Sequence, residues 1–391
     1  MRYNFDKVID RSGTSAEKVE GLKHIWGRTD LIPLWVADMD FATAPFVTDA
    51  IRKRCENEVL GYTGKPDSYY NAIINWVKQR YDLVVAKEMI NFVPGIVPGI
   101  GMAMNCFTQK GDKVMIQPPV YHPFAWVTTR NERTLVINPL RWENGMYRMD
   151  LDAFREQIKG CKLFILCNPH NPGGVVWTEA ELRAIADICY DEKVLVFSDE
   201  IHADLTLPPH THRPFATVSE KARMNSVTFM SPSKAFNMPG LSASHALIFN
   251  EDLRKRFRIY MDAGELAMGH VFAFLSVEAA YSHGTEWLDQ CLAYIQGNID
   301  FVDEFLKKHA PKIKAIRPEA SYLVWLDCRE LELSQKDLNE FFVDKAHLAL
   351  NDGEMFGKEG IGFMRLNVAS PRCIIEKAMK QLADAYQLYI K

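Results

Sequence analysis

Residues 162–174 read KLFILCNPHNPGG, a short apolar run that passes directly into turn residues. Positions 163–167 are apolar without any polar alternation, which is typical of a strand whose two faces are both covered. The turn that follows contains two Asn-Pro pairs and one Gly-Gly pair. The stretch therefore predicts a buried strand whose carboxyl end carries polar side chains into a loop.

Further apolar runs of this kind lie on both sides of the first one. They are Lys113–Gln117, Thr134–Asn138, Val194–Ser198, Ser226–Met230 and His245–Phe249. The segment Thr178–Asp191 lies between two of these strands, opens with a capping-box pattern and carries apolar residues at helical spacing. A strand, a helix and a strand in this order predict βαβ units and a mainly parallel sheet, hence an α/β fold.

The last third of the chain has a different pattern. Long helices are predicted for Asp252–Ile259 and Gly284–His309, a strand for Ser321–Leu326 and a closing helix for Cys373–Tyr389. A chain of 391 residues is long enough for more than one domain. We expect a large domain over residues 46–284, a smaller α+β domain over 285–391, and an N-terminal arm, 1–45, that joins the smaller domain.

Composition excludes several classes of protein. The 46 basic and 50 acidic residues leave a net charge of −4, which argues against a nucleic-acid-binding protein. No apolar run reaches the length of about 18 residues that a membrane span needs, and the N-terminus lacks the apolar region of a signal peptide. None of the eight cysteines forms a C-x-x-C pair. We expect a cytoplasmic protein in a reducing compartment, with no metal site, since His210 and His212 have no further ligand nearby in the sequence.

Polar side chains follow three of the predicted strands at the point where each strand ends. These are the segment Asn168–Gly174, the carboxylate Asp199, and the segment Ser231–Lys234. In an open α/β sheet, ligands bind outside the carboxyl ends of the strands. In addition, Asn91–Gly95 leads into a helix at about Gly99–Phe107, whose free N–H groups predict an anion site.

Each of these pieces has an ordinary structural interpretation when it stands alone. A carboxylate at a strand end is often a helix cap or an ion-pair partner, an Asn-Pro repeat is often a turn, and most lysines lie on the surface. The glycines after residue 94 do not match G-x-G-x-x-G, so a nicotinamide fingerprint is absent. Pyridoxal 5′-phosphate (PLP) requires the whole set: a lysine for its Schiff base, a carboxylate for its ring nitrogen, hydrogen-bond donors and a phosphate cup.

The order Asn171, Asp199, Lys234 resembles the fold-type I PLP enzymes of the aspartate aminotransferase superfamily. Other motifs are similar to the MalY/PatB-type cystathionine β-lyase (C–S lyase) branch; they are LWVADMDF at 34–41, GYT at 61–63, QPPVYHPF at 117–124, SDEIHAD at 198–204, PSKAFN at 232–237 and GFMRLN at 362–367. The resemblance covers essentially the whole chain. It implies a large domain with a mainly parallel seven-stranded sheet between helices, plus a smaller α+β domain.

The resemblance also implies a set of site residues. Those expected to hold the cofactor are Lys234, Asp199, Asn171, His202, Tyr121, Ile96, Val97, Ser231, Ser233 and Tyr62. Those expected to bind the substrate are Arg365, Asn171 and Ala37. Those expected to take part in catalysis are Lys234, Tyr62 and Tyr121.

Within this set the resemblance assigns individual roles. Lys234 forms the Schiff base and moves the Cα proton, Asp199 pairs with the ring nitrogen, and Asn171 donates to the phenolate oxygen. Tyr121 stacks on the ring face. The phosphate is held by two serines, Ser231 and Ser233, and by the backbone at Ile96 and Val97.

Two residues have roles at the edge of the site. Arg365 takes the substrate α-carboxylate as a bidentate fork, for which a lysine is a poor replacement. Tyr62 reaches in from a neighbouring subunit, which implies a homodimer. His202 and Ser242 depart from the usual aminotransferase pattern of Tyr and Arg, and we expect the less cationic phosphate cup to bind the cofactor more weakly.

The branch resemblance implies the reaction. It is PLP-dependent β-elimination of cystathionine or a related cysteine S-conjugate, which yields a thiol such as homocysteine, pyruvate and ammonia. The positions named above prepare a carbanion at Cα but do not select its fate. An aminotransferase on the same fold therefore stays open, as does a regulatory protein with secondary lyase activity.

Overall fold

The computed structural model describes residues 2–390, so the end residues 1 and 391 of the predicted domains lie outside it. The helices are α1 Glu17–Trp26, α2 Pro45–Cys55, α3 Asp67–Tyr81, α4 Ile96–Phe107, α5 Pro123–Arg130, α6 Leu151–Gln157, α7 Glu179–Asp191, α8 Glu220–Met224, α9 Glu251–Ala263, α10 Val271–His283, α11 Thr285–His309, α12 Gln335–Glu340 and α13 Arg372–Tyr389. The strands are β1 Ile32–Pro33, β2 Ile90–Val93, β3 Lys113–Ile116, β4 Thr134–Ile137, β5 Arg141–Glu143, β6 Met146–Arg148, β7 Cys161–Cys167, β8 Leu195–Asp199, β9 Ser226–Met230, β10 Ser244–Leu247, β11 Lys314–Ile316, β12 Leu323–Asp327, β13 Leu348–Ala349, β14 Asn351–Asp352 and β15 Phe363–Asn367.

A seven-stranded sheet forms the centre of the fold. Its strand order is β2-β10-β9-β8-β7-β3-β4. The five strands from β9 to β4 are parallel, while β10 is antiparallel to both of its neighbours. Because β2 is antiparallel to β10, it runs in the same direction as the other five strands. The predicted α/β class with a mainly parallel seven-stranded sheet is confirmed.

Helices cover both faces of this sheet. Val196 of β8 packs into a buried cluster with residues of α6, α7 and α8, whereas the next residue, Phe197, packs into a cluster with residues of α4, α5 and α9. Successive strand residues point to opposite faces, so a strand that is covered on both sides has to be apolar throughout. This explains why the strands are read from the sequence as continuous apolar runs.

The first residues of α7 and α4 show how local sequence determines where a helix begins. Thr178 caps α7: its hydroxyl accepts a hydrogen bond from the Glu181 amide at 3.2 Å, and its own amide donates to the Glu181 carboxylate at 2.9 Å, as the capping-box pattern predicts. The prediction for α4 is wrong at its start, because the helix begins at Ile96 and not near Gly99. Pro98 lies in the first turn of α4, where a missing N–H costs no hydrogen bond.

The C-terminal part of the chain forms a second sheet. It is antiparallel with the order β11-β12-β15-β14. The N-terminal segment joins this region, since Ile32 of β1 pairs with Leu348 of β13. The domain limits at residues 45 and 285 stay predictions. Among residues 2–390 no helix combines the length and the apolarity needed to cross a membrane.

Candidate active site

The parallel register brings the strand ends together at one edge of the large sheet. Cys167, the last residue of β7, pairs with Asp199, the last residue of β8, and Asp199 pairs with Phe229 near the end of β9. At the same edge Val93 of β2 pairs with Ser244 of β10. Side chains that are far apart in the sequence therefore emerge side by side.

A cavity of about 210 Å³ opens at this edge. It is lined by Ala37, Pro94, Gly95, Ile96, Val97, Pro98, Tyr121, Cys167, Asn171, Asp199, Ile201, His202, Ser233, Lys234, Pro239, Ser242, Ala243 and Ser244. Most of the site residues predicted from the sequence are in this set. Three are not: Ser231 and Arg365 lie directly behind the cavity wall, and Tyr62 lies elsewhere.

Lys234 contributes an amine with altered basicity. Its Nζ donates a hydrogen bond to the carbonyl oxygen of Ala37 at 2.5 Å. The pKa of Lys234 is lowered to about 8, mainly by burial; the carboxylate of Asp38 opposes this shift, Arg365 contributes to it, and Asp199 opposes it. An amine with a pKa near 8 is neutral often enough to act as a nucleophile and as a base near neutral pH.

Asp199 contributes a buried carboxyl group without a cationic hydrogen-bond partner. Its one side-chain hydrogen bond among residues 2–390 comes from the Ile201 amide, at 3.1 Å. Burial raises the pKa of Asp199 to about 7, and the neighbouring Glu200 adds to the shift. A buried carboxylate is stabilised when a cation pairs with it. The group is therefore suited to hold a protonated ring nitrogen in the cavity.

Another part of the cavity wall can hold an anion. The backbone N–H groups in the first turn of α4, at Ile96 and Val97, have no partners within the helix, and the helix dipole favours negative charge there. Ser233 lines the same cavity. Behind it, the Ser231 hydroxyl accepts from the Ser233 amide at 3.1 Å and donates to the carbonyl of Ala243 at 2.8 Å. Ser231 thus orients Ser233 and does not itself line the cavity.

The loop that carries Asn171 is folded tightly. The Gly174 amide donates to the His170 carbonyl at 2.8 Å, and the His170 amide donates to Val175 at 2.8 Å. Gly174 has φ of +68°, and a Cβ at this position would lie 2.5 Å from Pro318, so only glycine fits. The loop presents the Asn171 side chain toward Arg365.

Arg365 is a buried guanidinium whose hydrogen-bond acceptors are all neutral. It is 4% exposed. It donates to Asn171 Oδ1 at 3.1 Å, to the Trp35 carbonyl at 3.0 Å and to the Asn351 side chain. Its guanidinium lies over the Phe356 ring, 4.9 Å from the centroid. Burial lowers the pKa of Arg365 to about 10, so it stays cationic near neutral pH and can take a carboxylate.

Two ring-bearing side chains complete the cavity. Burial lowers the pKa of His202 to about 3, and the positive charges of Lys234 and Arg365 act in the same direction, so its imidazole is neutral at neutral pH. Burial raises the pKa of Tyr121 above its usual range, so its phenol keeps its proton. Both side chains can therefore donate or orient hydrogen bonds without adding charge to the site.

Tyr62 is not brought to this cavity by its own chain. Its side chain is 98% exposed. It lies in a separate surface groove with Leu60, Met268 and His270. An exposed tyrosine among exposed apolar neighbours is typical of a surface that another chain covers.

Several residues at the site were not found from the sequence. Cys167 lines the cavity, and its sulfur accepts a hydrogen bond from the Asn171 amide at 3.3 Å. Asn351 and Phe356 contact Arg365. For Cys167 the signal was its place at a strand end. For the other two the sequence holds no local signal: Asn351 reaches Arg365 through the pairing of β14 with β15, and Phe356 through the short helical turn that follows β14.

His210 and His212, the two histidines considered above as metal ligands, each lie near a carboxylate. His212 is buried, and its Nε2 lies 2.8 Å from the Glu200 carboxylate. The more exposed His210 lies near Glu319. Within residues 2–390 no group of three or more His, Cys, Asp or Glu side chains is arranged to hold a metal ion.

Comparison with known proteins places this geometry in a family. The family model of aminotransferase class I and II matches residues 29–382. Cystathionine beta-lyase PatB from Bacillus subtilis is 38% identical over 384 residues, which are 98% of this chain and 99% of PatB.

Solved structures agree with this result. Cystalysin from Treponema denticola, whose crystal structure contains a pyridoxal 5′-phosphate cofactor, has a TM-score of 0.95 at 33% identity and covers 100% of both chains. The PLP-bound C–S lyase from Staphylococcus hominis has a TM-score of 0.91 at 35% identity, covering 99% of this chain and 98% of that one. Because these matches extend over nearly the whole chain and agree with the strand-end site, the protein belongs to the aminotransferase class I and II family, in the group that includes PatB and cystalysin.

Proposed function

We propose that this protein is a PLP-dependent carbon–sulfur β-lyase that converts cystathionine or related S-substituted cysteines into a thiol, pyruvate and ammonia. The observation that carries the proposal is the identity of 38% with cystathionine beta-lyase PatB over nearly the full length of both chains. The cavity supports it independently, because a lysine, a buried carboxylate and a helix N-terminus line the same space.

The residues present fit PLP. Asp199 is a buried carboxyl group without a cationic hydrogen-bond partner in the described part of the chain, which suits a pyridinium nitrogen. The first turn of α4 and Ser233 offer N–H and O–H donors for a phosphate. Asn171 would donate to the phenolate oxygen, Tyr121 would stack on the ring face, and the neutral His202 would orient the cofactor. Lys234 would hold the cofactor covalently.

The chain's own residues divide the work of the reaction. PLP, when bound, supplies an electron-withdrawing ring that stabilises negative charge at the substrate Cα. Arg365 binds the α-carboxylate and, with Asn171 and the backbone at Ala37, orients the substrate. Lys234 would hold the cofactor until the substrate amine takes its place, and its freed ε-amine would then remove the Cα proton. The sulfur substituent then leaves from Cβ as a thiolate.

Tyr62 belongs to the neighbouring subunit's site in this proposal. Val59, Leu60 and Met268 form an exposed apolar surface around it, and a second copy of the chain would cover that surface. The proposal is thus a homodimer with shared active sites. Mixing the inactive variants Tyr62→Ala and Lys234→Ala should restore activity, because one site of the mixed dimer keeps both residues; if the mixture stays inactive, Tyr62 does not act across a dimer.

The eight cysteines are free thiols, two of them, Cys55 and Cys373, on the surface. A reducing compartment keeps such thiols unpaired. We therefore assign the reaction to the cytoplasm.

Incubation with cystathionine tests the reaction. A β-lyase forms pyruvate, ammonia and homocysteine in equal amounts with no added oxo acid. An aminotransferase turns over only in proportion to an added oxo acid such as 2-oxoglutarate, which would overturn the proposal. Lys234→Ala should abolish product formation and the visible absorbance of the lysine-bound cofactor together.

A further inference from the structure

The carbonyl oxygen of Ala37 accepts two hydrogen bonds at the cavity wall. One comes from Lys234 Nζ at 2.5 Å, and the other comes from the Tyr322 hydroxyl at 2.9 Å. Tyr322 is fully buried and lies just before β12, outside the set of cavity-lining residues. Its hydroxyl therefore reaches the lysine only through the Ala37 carbonyl.

The peptide segment around Ala37 is held in place on both sides. Asn367 donates from its side-chain amide to the carbonyls of Val36 and Asp38, at 2.7 Å each. Tyr322 itself is fixed by a hydrogen bond from the Val368 amide to its carbonyl, at 2.9 Å. Besides Lys234, the Tyr322 hydroxyl is the donor that contacts the Ala37 carbonyl itself in the described part of the chain.

The chemistry of these atoms determines what the contact does. A neutral lysine amine has two N–H bonds and one lone pair, and a carbonyl oxygen can only accept a hydrogen bond. When Ala37 O accepts one N–H, the lone pair points elsewhere. Burial raises the pKa of Tyr322 well above its usual range, so the phenol keeps its proton and stays a donor.

We propose that Tyr322 is a positioning residue: by fixing the Ala37 carbonyl, it orients the freed Lys234 amine so that its lone pair faces the substrate Cα–H. In the step that follows, the Cα–H bond breaks and its electron pair stays on the substrate. A new Nζ–H bond forms, and Lys234 becomes an ammonium group. This inference rests on the proposed function, in which the substrate amine releases Lys234.

The variant Tyr322→Phe tests the inference, because it removes the hydroxyl and keeps the buried ring. We expect kcat to fall about 10- to 100-fold with KM nearly unchanged, since misplacement of a reacting group by about 1 Å has an effect of this size. The isotope effect with Cα-deuterated substrate should rise as proton removal becomes slower. Tyr69→Phe is the matched control, since Tyr69 is also fully buried and its hydroxyl has no hydrogen-bond partner among residues 2–390.

A second measurement uses the cofactor-free protein. The rate at which PLP becomes attached to Lys234 should fall several-fold in Tyr322→Phe, because attachment needs the same orientation of the amine. Pyridoxamine phosphate, which cannot bond to the lysine, should bind equally well to both proteins and so report an intact pocket. This readout does not require lyase activity, so it tests the inference even if no S-substituted cysteine is cleaved and the proposed function fails.

Two outcomes would overturn the inference. The first is a Tyr322→Phe protein with wild-type kcat, isotope effect and attachment rate. The second is a rise in KM at unchanged kcat, which would mean that Tyr322 acts on substrate binding through Arg365 and not on Lys234.

Discussion

Arg365 donates a hydrogen bond to the side chain of Asn171 at 3.1 Å, although the two residues are 194 positions apart in the chain. Asn171 follows a strand of the large sheet, and Arg365 lies on β15 of the small antiparallel sheet. The contact therefore joins the two sheets at the site where we place the substrate. It makes the geometry of carboxylate binding depend on both parts of the chain.

Replacing Arg365 by lysine should weaken substrate binding. A lysine offers one point charge where arginine offers a planar fork, and the lost charge-assisted hydrogen bond contributes about 1.5–3 kcal/mol. We expect kcat/KM for an S-substituted cysteine to fall about 100-fold in Arg365→Lys, mostly through KM. Steady-state kinetics measure both parameters.

An S-substituted cysteamine, which has no carboxylate, gives the matched control. Its low rate should be the same in wild type and in Arg365→Lys. If the variant slows this analogue as much as it slows the amino acid, then Arg365 acts on something other than the carboxylate.

Substitutions at two adjacent carboxylates should have different effects: one should lower turnover, and the other should lower the stability of the fold. Asp199 lines the cavity, whereas Glu200 accepts hydrogen bonds at 2.8 Å from Ser198, His212 and the Phe215 amide. Asp199→Asn removes the charge expected at the ring nitrogen, so turnover should fall about 100- to 1000-fold. Glu200→Gln leaves buried donors unsatisfied, and the free energy of unfolding should fall by about 1–3 kcal/mol.

The readouts for this pair are turnover with saturating PLP and unfolding by urea. Asp199→Asn should unfold no more easily than wild type, and Glu200→Gln should keep most of its turnover while folded. Equal losses of turnover in the two variants would contradict the assignment of Asp199 to the cofactor.

Ser242 lines the cavity, and the family resemblance aligns it with the phosphate-binding arginine that aminotransferases commonly carry. An added guanidinium would supply a charge-assisted bidentate contact to a phosphate. We expect Ser242→Arg to lower the dissociation constant of PLP about tenfold, corresponding to about 1.4 kcal/mol. Equilibrium dialysis of the cofactor-free protein measures it, with Ser242→Ala as the control that adds no charge; equal affinity in all three proteins would contradict the prediction.

Close approach of two glycines holds the segment that carries Phe356. A Cβ on Gly353 would lie 2.2 Å from the Gly360 carbonyl oxygen, against backbone that has no room to move. Gly353→Ala should destabilise the fold by about 1–3 kcal/mol and, since Phe356 lies under Arg365, also raise KM. Gly240→Ala, where no atom of residues 2–390 lies within 4 Å of the added Cβ, should change neither quantity. A stable Gly353→Ala protein would contradict this prediction.

Strand identity and the strand-end residues could be predicted from the sequence because both depend on local patterns. The run at 162–174 predicted β7 and the Asn171 loop, and Asp199 and Lys234 follow strands that were found in the same way. Parallel pairing then required their side chains to meet at one edge, so the core of the site followed from topology alone.

Other parts of the site depend on contacts between distant segments. β2 was missed because the polar Asn91 interrupts its short apolar run, and its place in the sheet is fixed by pairing with β10. The contacts of Tyr322 with Ala37 and of Asn351 with Arg365 arise from the second sheet, for which the sequence predicted a single strand. No local pattern encodes such contacts: Asn351 meets Arg365 through the register of β14 and β15, and Tyr322 and Ala37 are 285 positions apart in the chain.

His245 should make the fold sensitive to acid. It is fully buried on β10 near the Tyr281 ring, and neither of its ring nitrogens has a hydrogen-bond partner among residues 2–390. Burial lowers its pKa from 6.5 to about 3. Between these two pH values the unfolded chain binds a proton that the folded protein does not, so this group makes stability fall as the pH decreases.

His245→Leu should therefore stabilise the protein. Removing two unsatisfied ring nitrogens should raise the free energy of unfolding at pH 7 by about 1–3 kcal/mol. The gain should grow as the pH falls from 6.5 toward 4, because the variant has no imidazole to protonate on unfolding. Urea unfolding of the cofactor-free protein across this range measures it, with the exposed His24→Leu as control. If the gain in stability did not depend on pH, the pKa of His245 would be the same in the folded and the unfolded protein. Burial would then not lower the pKa of His245, which would contradict the prediction.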